Sequence, residues 1–331
     1  MTTQIEVSVI IVSYNRKNDL LNCIDSVLSI KYPSLEIILV DNASTDNSVE
    51  DVEKRFPDVR IIKNSKNLGA DYPRNQGILV SKGKYIWFLD SDAIVTNKDC
   101  LKKMLKLLED KDIGSVGGEV MKDNGILKYR PMINGKELRE EVNQKNKIKY
   151  RCLEVDYLAT CNCMVRKETL IKIGGFDTNY FYFYEDADIG FKIKKLNLKN
   201  IFSSKCVVFH NFSQSGRVSH YYLLFRNNLR GKLINSSLLW LLTFPFNKLM
   251  NMYQNFKQFN SGEKDISNLK TMKENEKGKY NQKFGLAKLS IHVCSCLFRA
   301  YVWNIIHLPK TLYIKYKHPN FLENVKAQES K

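Results

Sequence analysis

Four short apolar runs punctuate the first hundred residues: VSVIIVSY from Val7 to Tyr14, LEIILVD from Leu35 to Asp41, VRIIK from Val59 to Lys63 and YIWFL from Tyr85 to Leu89. They are rich in β-branched and aromatic residues and carry no polar alternation, so each predicts a strand buried on both faces. Between them the spacing turns helical. Leu20, Leu21, Ile24, Val27 and Leu28 fall on one helix face, ASTDNSVEDVEKRF opens with Ser, Thr and Asp that can cap a helix, and PRNQGILV reads as a third. Buried strands alternating with helices predict an α/β fold, a mostly parallel sheet with helices on both faces. From Gly114 the texture changes to short strand-like pieces and charged loops. VDYLATCNCMVRKE, Val155 to Glu168, predicts one more buried strand containing Cys161 and Cys163, and KCVVFH another that ends at His210.

A second region follows. LINSSLLWLLTFPFN, Leu233 to Asn247, is uncharged, and LSIHVCSCLF and AYVWNIIHLP are two further uncharged runs split by Arg299. Each falls short of the roughly 18 apolar residues that make a spanning helix. The pattern divides the chain into an α/β catalytic region, 1–230, and a basic, apolar helical region, 231–331. Charge sharpens this division, because of the net +17 only +4 lies before Asn211 and +13 after it. Such an excess seeks a polyanion, and basic residues interleaved with Leu, Phe and Trp suit an anionic membrane surface better than nucleic acid. Apolar helices can equally pack into a homo-oligomer. The eight cysteines form no CxxC pair and the N-terminus lacks a charged segment followed by an apolar one, which predicts a cytoplasmic protein, peripheral on the cytoplasmic face of the membrane.

In open α/β sheets ligands bind beyond the carboxyl ends of the strands. Those ends are polar here: Ser13-Tyr14-Asn15-Arg16, Asp41-Asn42 and Asp90-Ser91-Asp92. Asp90 and Asp92, one residue apart, repel each other unless something positive sits between them, and a hard divalent cation with its preference for oxygen does so. A polar turn would use the same residues. NLGADYPRNQG places Arg74 near a helix start, where its planar fork suits phosphate or a base edge. In GGFDTNYFYFYEDADIGFKIKK, Gly174-Gly175 suits a turn that lets backbone pass close to a ligand, and Tyr180 to Tyr184 form an aromatic wall. Glu185, Asp186 and Asp188 then open a helix, where a carboxylate either complements the helix dipole or serves as a general base. His210, at a strand end, is either structural or a contact to metal or phosphate.

In this order, VSVIIVSYNR, ILVDNASTDNS, NLGADYPRNQGI, FLDSDA, GGFDTNYFYFYEDADIGFKIKK and VVFH resemble the family 2 glycosyltransferases, over roughly Val7 to Leu229. The resemblance implies a GT-A fold and an inverting transfer from a nucleoside-diphosphate sugar, UDP- or dTDP-linked, to a hydroxyl of a glycan or lipid-linked acceptor in cell-surface polysaccharide synthesis. It implies that Asp41, Arg74, Asp90, Ser91, Asn42 and the first strand end, Ser13 to Arg16, hold the nucleotide sugar, and that Asp90 and Asp92 hold manganese or magnesium, with His210 a further ligand. Asp186 would be the catalytic base, and Glu185 and Tyr184 would face the acceptor. One departure is visible: the late His is followed by NFSQSG, which delays Gly216. Two rival readings are disfavoured, a sugar-phosphate nucleotidyltransferase, whose sheet is related, by the absence of glycine in SYNRKND and a dehydrogenase by the absence of GxGxxG. A descendant that only binds nucleotide or glycan, or a membrane-associated scaffold, is the alternative.

Overall fold

The computed structural model describes residues 4–121, 132–133, 136–137, 152–211, 221–235 and 295–329. They form two compact units, one of residues 1–216 with 318–331, the other of residues 217–317.

The first unit is built on a nine-stranded sheet. β1 (Val7–Ser13) is flanked by β2 (Leu35–Asp41) and β4 (Tyr85–Asp90), both parallel to it, with β3 (Arg60–Lys63) outside β2. The register sets Ser13 opposite Asp41 and Val12 opposite Asp90, so three polar strand ends share one edge. Beyond β4 the sheet becomes mixed. β10 (Asn162–Arg166) runs antiparallel to both β4 and β6 (Ile113–Met121), and β11 (Lys199–His210) runs parallel to β6. β5 (Ala93–Val95) closes the sheet against β11, pairing Ala93 with His210, and this brings the late histidine beside the Asp90–Asp92 turn. β9 (Cys152–Val155) pairs with β11, and β7 (Met132–Ile133) and β8 (Lys136–Glu137) form a separate ribbon.

Helices cover both faces, as the hydrophobic pattern predicts. α1 (Lys17–Leu28) buries Leu20, Cys23, Ile24 and Val27 against Val9, Ile11 and Trp87, a layer to which α2 (Ser48–Arg55) adds Val52 and α4 (Cys100–Leu107) adds Leu101 and Met104. Asp46 sets the start of two of these helices, its Oδ2 accepting from Lys17 N at 2.9 Å and its Oδ1 from Ser48 N at 3.1 Å. On the other face, α3 (Asp71–Val80), α5 (Lys167–Lys172) and α6 (Glu185–Lys195) pack Ile78, Leu170 and Ile189 with Ile10, Phe88 and Phe176.

Two features differ from the pattern-based expectation. The strand predicted over 155–168 is interrupted, because Asp156 leaves the ladder: its carboxylate pairs with Lys194 at 3.0 Å and its carbonyl accepts from Asn200 Nδ2 at 2.9 Å. Cys161 therefore lies in a loop just ahead of β10, and Cys163 within it. The compact units also cut the chain differently from 1–230 and 231–331. The second unit contains α7 (Tyr221–Asn235), a helical stretch over 295–306 and α8 (Leu308–Lys317), with Leu229 and Leu233 packed against Tyr301 and Leu308. The chain then returns to the first unit as α9 (Phe321–Glu329), because Phe321, Leu322 and Val325 are apolar on one face and buried there.

The apolar stretch Leu238 to Phe246, the start of LSIHVCSCLF, and most of residues 122–151 lie outside the described residues. No described helix is long and apolar enough to cross a membrane.

Candidate active site

At the sheet edge the loops after β1 and β2 are zipped together. Asn15, in a left-handed conformation (φ 52°), donates its N–H to Ser44 Oγ at 2.9 Å and accepts from Thr45 N at 2.7 Å. Asp41 Oδ2 accepts from Ser44 N at 3.0 Å. Asp41 Oδ1 and Ser13 Oγ, on residues paired across the two strands, are buried without a protein hydrogen bond, a condition that a bound group with a donor and an acceptor would relieve. Asn42 is also buried, its Nδ2 donating to the Gly69 carbonyl at 2.6 Å and its Oδ1 accepting from Asn64 Nδ2 at 3.1 Å. Tyr14 is exposed and Ser91 is buried in the Asp90–Asp92 turn.

Next to this edge lies a cluster of acids around two arginines. Arg74 of α3 is 5% exposed and meets Glu185 Oε1 and Asp90 Oδ1, each at 3.3 Å, and Asp71 Oδ1 at 3.6 Å. Burial works against its charge, yet Glu185, Asp90 and Asp71 outweigh it and hold the guanidinium firmly protonated. Arg16 binds Asp92 Oδ2. The remaining oxygens converge on one nitrogen: His210 Nε2 is 3.0 Å from Asp90 Oδ2 and 3.2 Å from Asp92 Oδ1. Cys161 Sγ adds a fourth ligand-type atom, grouped with Asp90 and His210 within 4.8 Å.

Negative charge gathers here, with Asp71, Asp90, Asp92, Glu185 and Asp186 lying close to Arg16, Arg74 and one imidazole. Carboxylates packed this closely favour taking up protons or binding a cation. Asp71 is driven well above the ordinary range, chiefly by burial and then by Glu185. Carboxylate oxygens and an imidazole nitrogen on a shared centre are a donor set that fits a divalent ion, and Asp90, Asp92 and His210 are the residues that would hold it.

α6 carries the remaining acids, and its entry is strained. Phe181, Phe183 and Tyr184 all lie in the left-handed region, with φ between 68° and 75°, which costs non-glycine residues of the order of 1–3 kcal/mol each. What holds Phe181 is visible: its carbonyl accepts from Ala70 N at 2.8 Å, at the start of α3. A Cβ on Gly69 would come within 2.4 Å of that carbonyl, so this glycine is needed for the approach. Tyr184 packs near Tyr180, ring centres 5.7 Å apart, and precedes Glu185.

Glu185 is buried, and its carboxyl is pushed up to about 7, first by burial and then by the neighbouring Asp186 charge, with Arg74 opposing. Asp186 is half-buried, and burial likewise raises it against the pull of Thr160 and Arg74. Its Oδ1 takes two bonds from Thr160, from the backbone N–H at 3.0 Å and the hydroxyl at 2.6 Å. The two adjacent acids are thus placed differently, Glu185 inward on Arg74 and Asp186 partly open.

The structure therefore brings Arg16, Arg74, Asp90, Asp92, Glu185 and His210 into one bonded cluster and sets Asp186 beside it, while Ser13, Asp41 and Asn42 line the adjoining edge. Gly174 and Gly175 (φ 74° and 75°) do receive a close backbone, but it is the protein's own. Phe321 N and Leu322 N donate to the Gly174 carbonyl at 2.9 and 3.1 Å, and a Cβ on Gly175 would strike Leu322 at 2.8 Å. Thr160, Asp71 and Cys161 are site residues that sequence reasoning passes over. Thr160 and Cys161 sit inside what reads as a strand, and Asp71 looks like an ordinary helix-start acid.

Comparison with known proteins bears on the family and the fold. The family model described as Glycosyl transferase family 2 matches residues 8–174. The glycosyltransferase GlyG of Streptococcus pneumoniae serotype 4 is 36% identical over 115 residues, covering 34% of this chain and 38% of the relative. The UDP-Glc:alpha-D-GlcNAc-diphosphoundecaprenol beta-1,3-glucosyltransferase WfaP of Escherichia coli is 43% identical over 88 residues, 26% of this chain and 35% of the relative. An uncharacterised glycosyltransferase of Haemophilus influenzae is 29% identical over 175 residues, 52% and 56%. The chain thus matches little more than half the length of these relatives at most. Among solved structures, the mannosyltransferase PcManGT of Pyrobaculum calidifontis, in complex with GDP-Man and Mn2+, superposes with a TM-score of 0.57 at 16% identity over 92% of this chain and 88% of that one. S. aureus TarS 1–349 in complex with UDP-GlcNAc gives 0.52 at 21%, over 71% and 68%. At these identities the likeness is one of fold, the GT-A fold.

Proposed function

Because the chain belongs to glycosyl transferase family 2, we propose that it is an inverting glycosyltransferase that moves a sugar from a UDP- or dTDP-linked donor to a hydroxyl of a glycan or lipid-linked acceptor, in the building of cell-surface polysaccharide. The observation that carries this reading is the acid cluster with Asp186 half-open beside it. The donor's nucleoside lies along the strand ends. A base there gives Asp41 Oδ1 and Ser13 Oγ the partners they lack within the protein, and Arg74 and Arg16 supply positive charge toward the diphosphate. A divalent cation held by Asp90, Asp92 and His210 supplies charge neutralisation of the leaving diphosphate when bound.

Asp186 acts as the base. Thr160 fixes Oδ1, leaving Oδ2 to accept the proton of the acceptor hydroxyl as its oxygen forms a bond to the anomeric carbon and the bond from that carbon to the diphosphate breaks. Burial raises Asp186, and a stronger base suits proton abstraction. Glu185, buried on Arg74, holds α6 to α3, and Tyr184 stands on the acceptor side. Support for a uracil donor comes from relatives, WfaP being named for UDP-glucose.

The second unit supports a peripheral membrane location. Phe298, Val302, Ile305 and Ile306 fall at i, i+4, i+7 and i+8 and are all exposed, with Phe298 at 68% and Ile306 at 67%. Arg299, Lys310 and Lys317 are exposed in the same unit. An apolar stripe with basic neighbours suits the surface of an anionic bilayer on the cytoplasmic side, where a lipid-linked acceptor is presented.

The reading is tested by titrating the protein with UDP, dTDP and GDP, each with manganese and with chelator. UDP or dTDP is expected to bind, and only with the cation to bind tightly. Failure of every nucleoside diphosphate to bind would leave the scaffold alternative.

A further inference from the structure

The segment 318–331 rejoins the first unit as a built element. Asn320 caps it, Oδ1 accepting from Leu322 N at 3.1 Å and Glu323 N at 3.3 Å. Leu322 enters the layer of Ile10, Phe88 and Phe176, and Phe321 lies under the Lys192 ammonium, 4.9 Å from the ring centre. Nothing in the transfer chemistry requires this helix. Its far end, however, reaches the outer side of α3, the helix that carries Arg74.

There Glu329 Oε1 accepts two bonds from α3, from the Tyr72 hydroxyl at 2.9 Å and from Gln76 Nε2 at 3.1 Å. Gln76 is 3% exposed, and its amide forms a reciprocal pair with Asn64, both bonds 2.9 Å. Asn64 Nδ2 also donates to Asn42 Oδ1 at 3.1 Å, and Asn42 in turn donates to the Gly69 carbonyl at 2.6 Å. A continuous polar line therefore runs from Glu329 through Gln76 and Asn64 to Asn42, on the nucleotide edge, and to the loop from which α3 starts.

Gln76 has two amide hydrogens and uses them on Asn64 and on Glu329. Without the Glu329 carboxylate one of them, on a buried side chain, loses its acceptor, and the amide gains a reason to rotate and break its pair with Asn64. Asn64 would then no longer be held in place as it donates to Asn42 Oδ1, whose other bond is a long one of 3.4 Å from Leu68 N.

We propose that Glu329 is a positioning residue for the nucleotide: acting through Gln76 and Asn64, it fixes Asn42 and the Gly69 loop at the strand ends. The role rests on the nucleotide-binding reading above. It differs from support of the fold, which the apolar side chains of α9 provide.

The test is UDP affinity by calorimetry, with manganese, and the split between donor KM and kcat, on the full chain. Glu329→Ala is expected to weaken UDP binding and raise donor KM by between about twofold and tenfold, the worth of one hydrogen bond, with kcat unchanged and the melting temperature lowered by no more than a few degrees. Glu329→Gln, which keeps the acceptor oxygen, restores affinity, and Glu323→Ala, an exposed acid on the same helix, has no effect. Wild-type affinity in Glu329→Ala, no rescue by Gln, or an equal loss in Glu323→Ala would overturn the positioning role while leaving the nucleotide site intact. If the wild type itself binds no nucleoside diphosphate, the functional reading fails and takes this role with it.

Discussion

Thr160 binds Asp186 twice on the same oxygen, with its backbone N–H and with its hydroxyl. A carboxylate held in this way cannot swing, and its second oxygen is committed to one direction. Asp186→Asn keeps the shape and cannot take a proton, so kcat should fall by roughly a hundredfold or more while UDP affinity stays within a factor of about three. Thr160→Val, which retains the backbone bond alone, should lie between this variant and wild type. A fully active Asp186→Asn alongside an inactive Glu185→Gln would move the base by one residue.

Glu185 should make stability fall with rising pH. Its carboxyl titrates at about 7 in the fold against an ordinary 4.5. Between these values the native state keeps a proton that the unfolded chain has lost, so the stabilising contribution is complete below 4.5 and disappears as pH rises through 7, amounting to at most about 3 kcal/mol. Asp186 and Asp71 are raised as well and act with the same sign. Urea midpoints measured at pH 5 and pH 8 should differ less in Glu185→Gln than in wild type; an identical difference in the two proteins counts against the raised value.

The convergence of Asp90, Asp92 and His210 predicts cation-dependent nucleotide binding. Asp92→Asn and His210→Ala should each weaken UDP binding in manganese by tenfold or more, about 1.4 kcal/mol, and make it insensitive to chelator. Binding that remains tight and still responds to chelator in both variants would place the ion elsewhere.

For the membrane surface, the full chain should sediment with anionic vesicles and much less with neutral ones or in high salt. Replacing exposed Phe298 and Ile306 by Ser should release it without altering UDP affinity, since both side chains face solvent. Retention of the double variant at wild-type levels would assign binding to another surface.

The strands that build the site were legible because burial on both faces leaves a local mark, a run such as IIV or YIWFL with a polar residue at its end. The polar residues at the strand ends were legible for the same reason: Asp41, Asp90 and His210 each terminate such a run. What stayed hidden depends on pairing across long stretches of chain. Thr160 reaches Asp186 only because Asp156 breaks the expected strand, and nothing local announces that break. Gly174 and Gly175 announced a close backbone but not whose. Phe321, Leu322 and Val325 have the spacing of a buried helix face in a segment too short for periodicity to say where it docks.

Because residues 217–317 interrupt the first unit, translation and assembly run in different orders. The sheet, the acid cluster and α3 leave the ribosome first, and α9 follows only after the whole intervening unit has been made, a delay of roughly 5–20 s at common elongation rates. For that time the seat of Leu322 against Gly175 and Phe176 is without its occupant on the nascent chain. Peptides ending before residue 318 would thus carry every acid of the site yet expose an apolar seam.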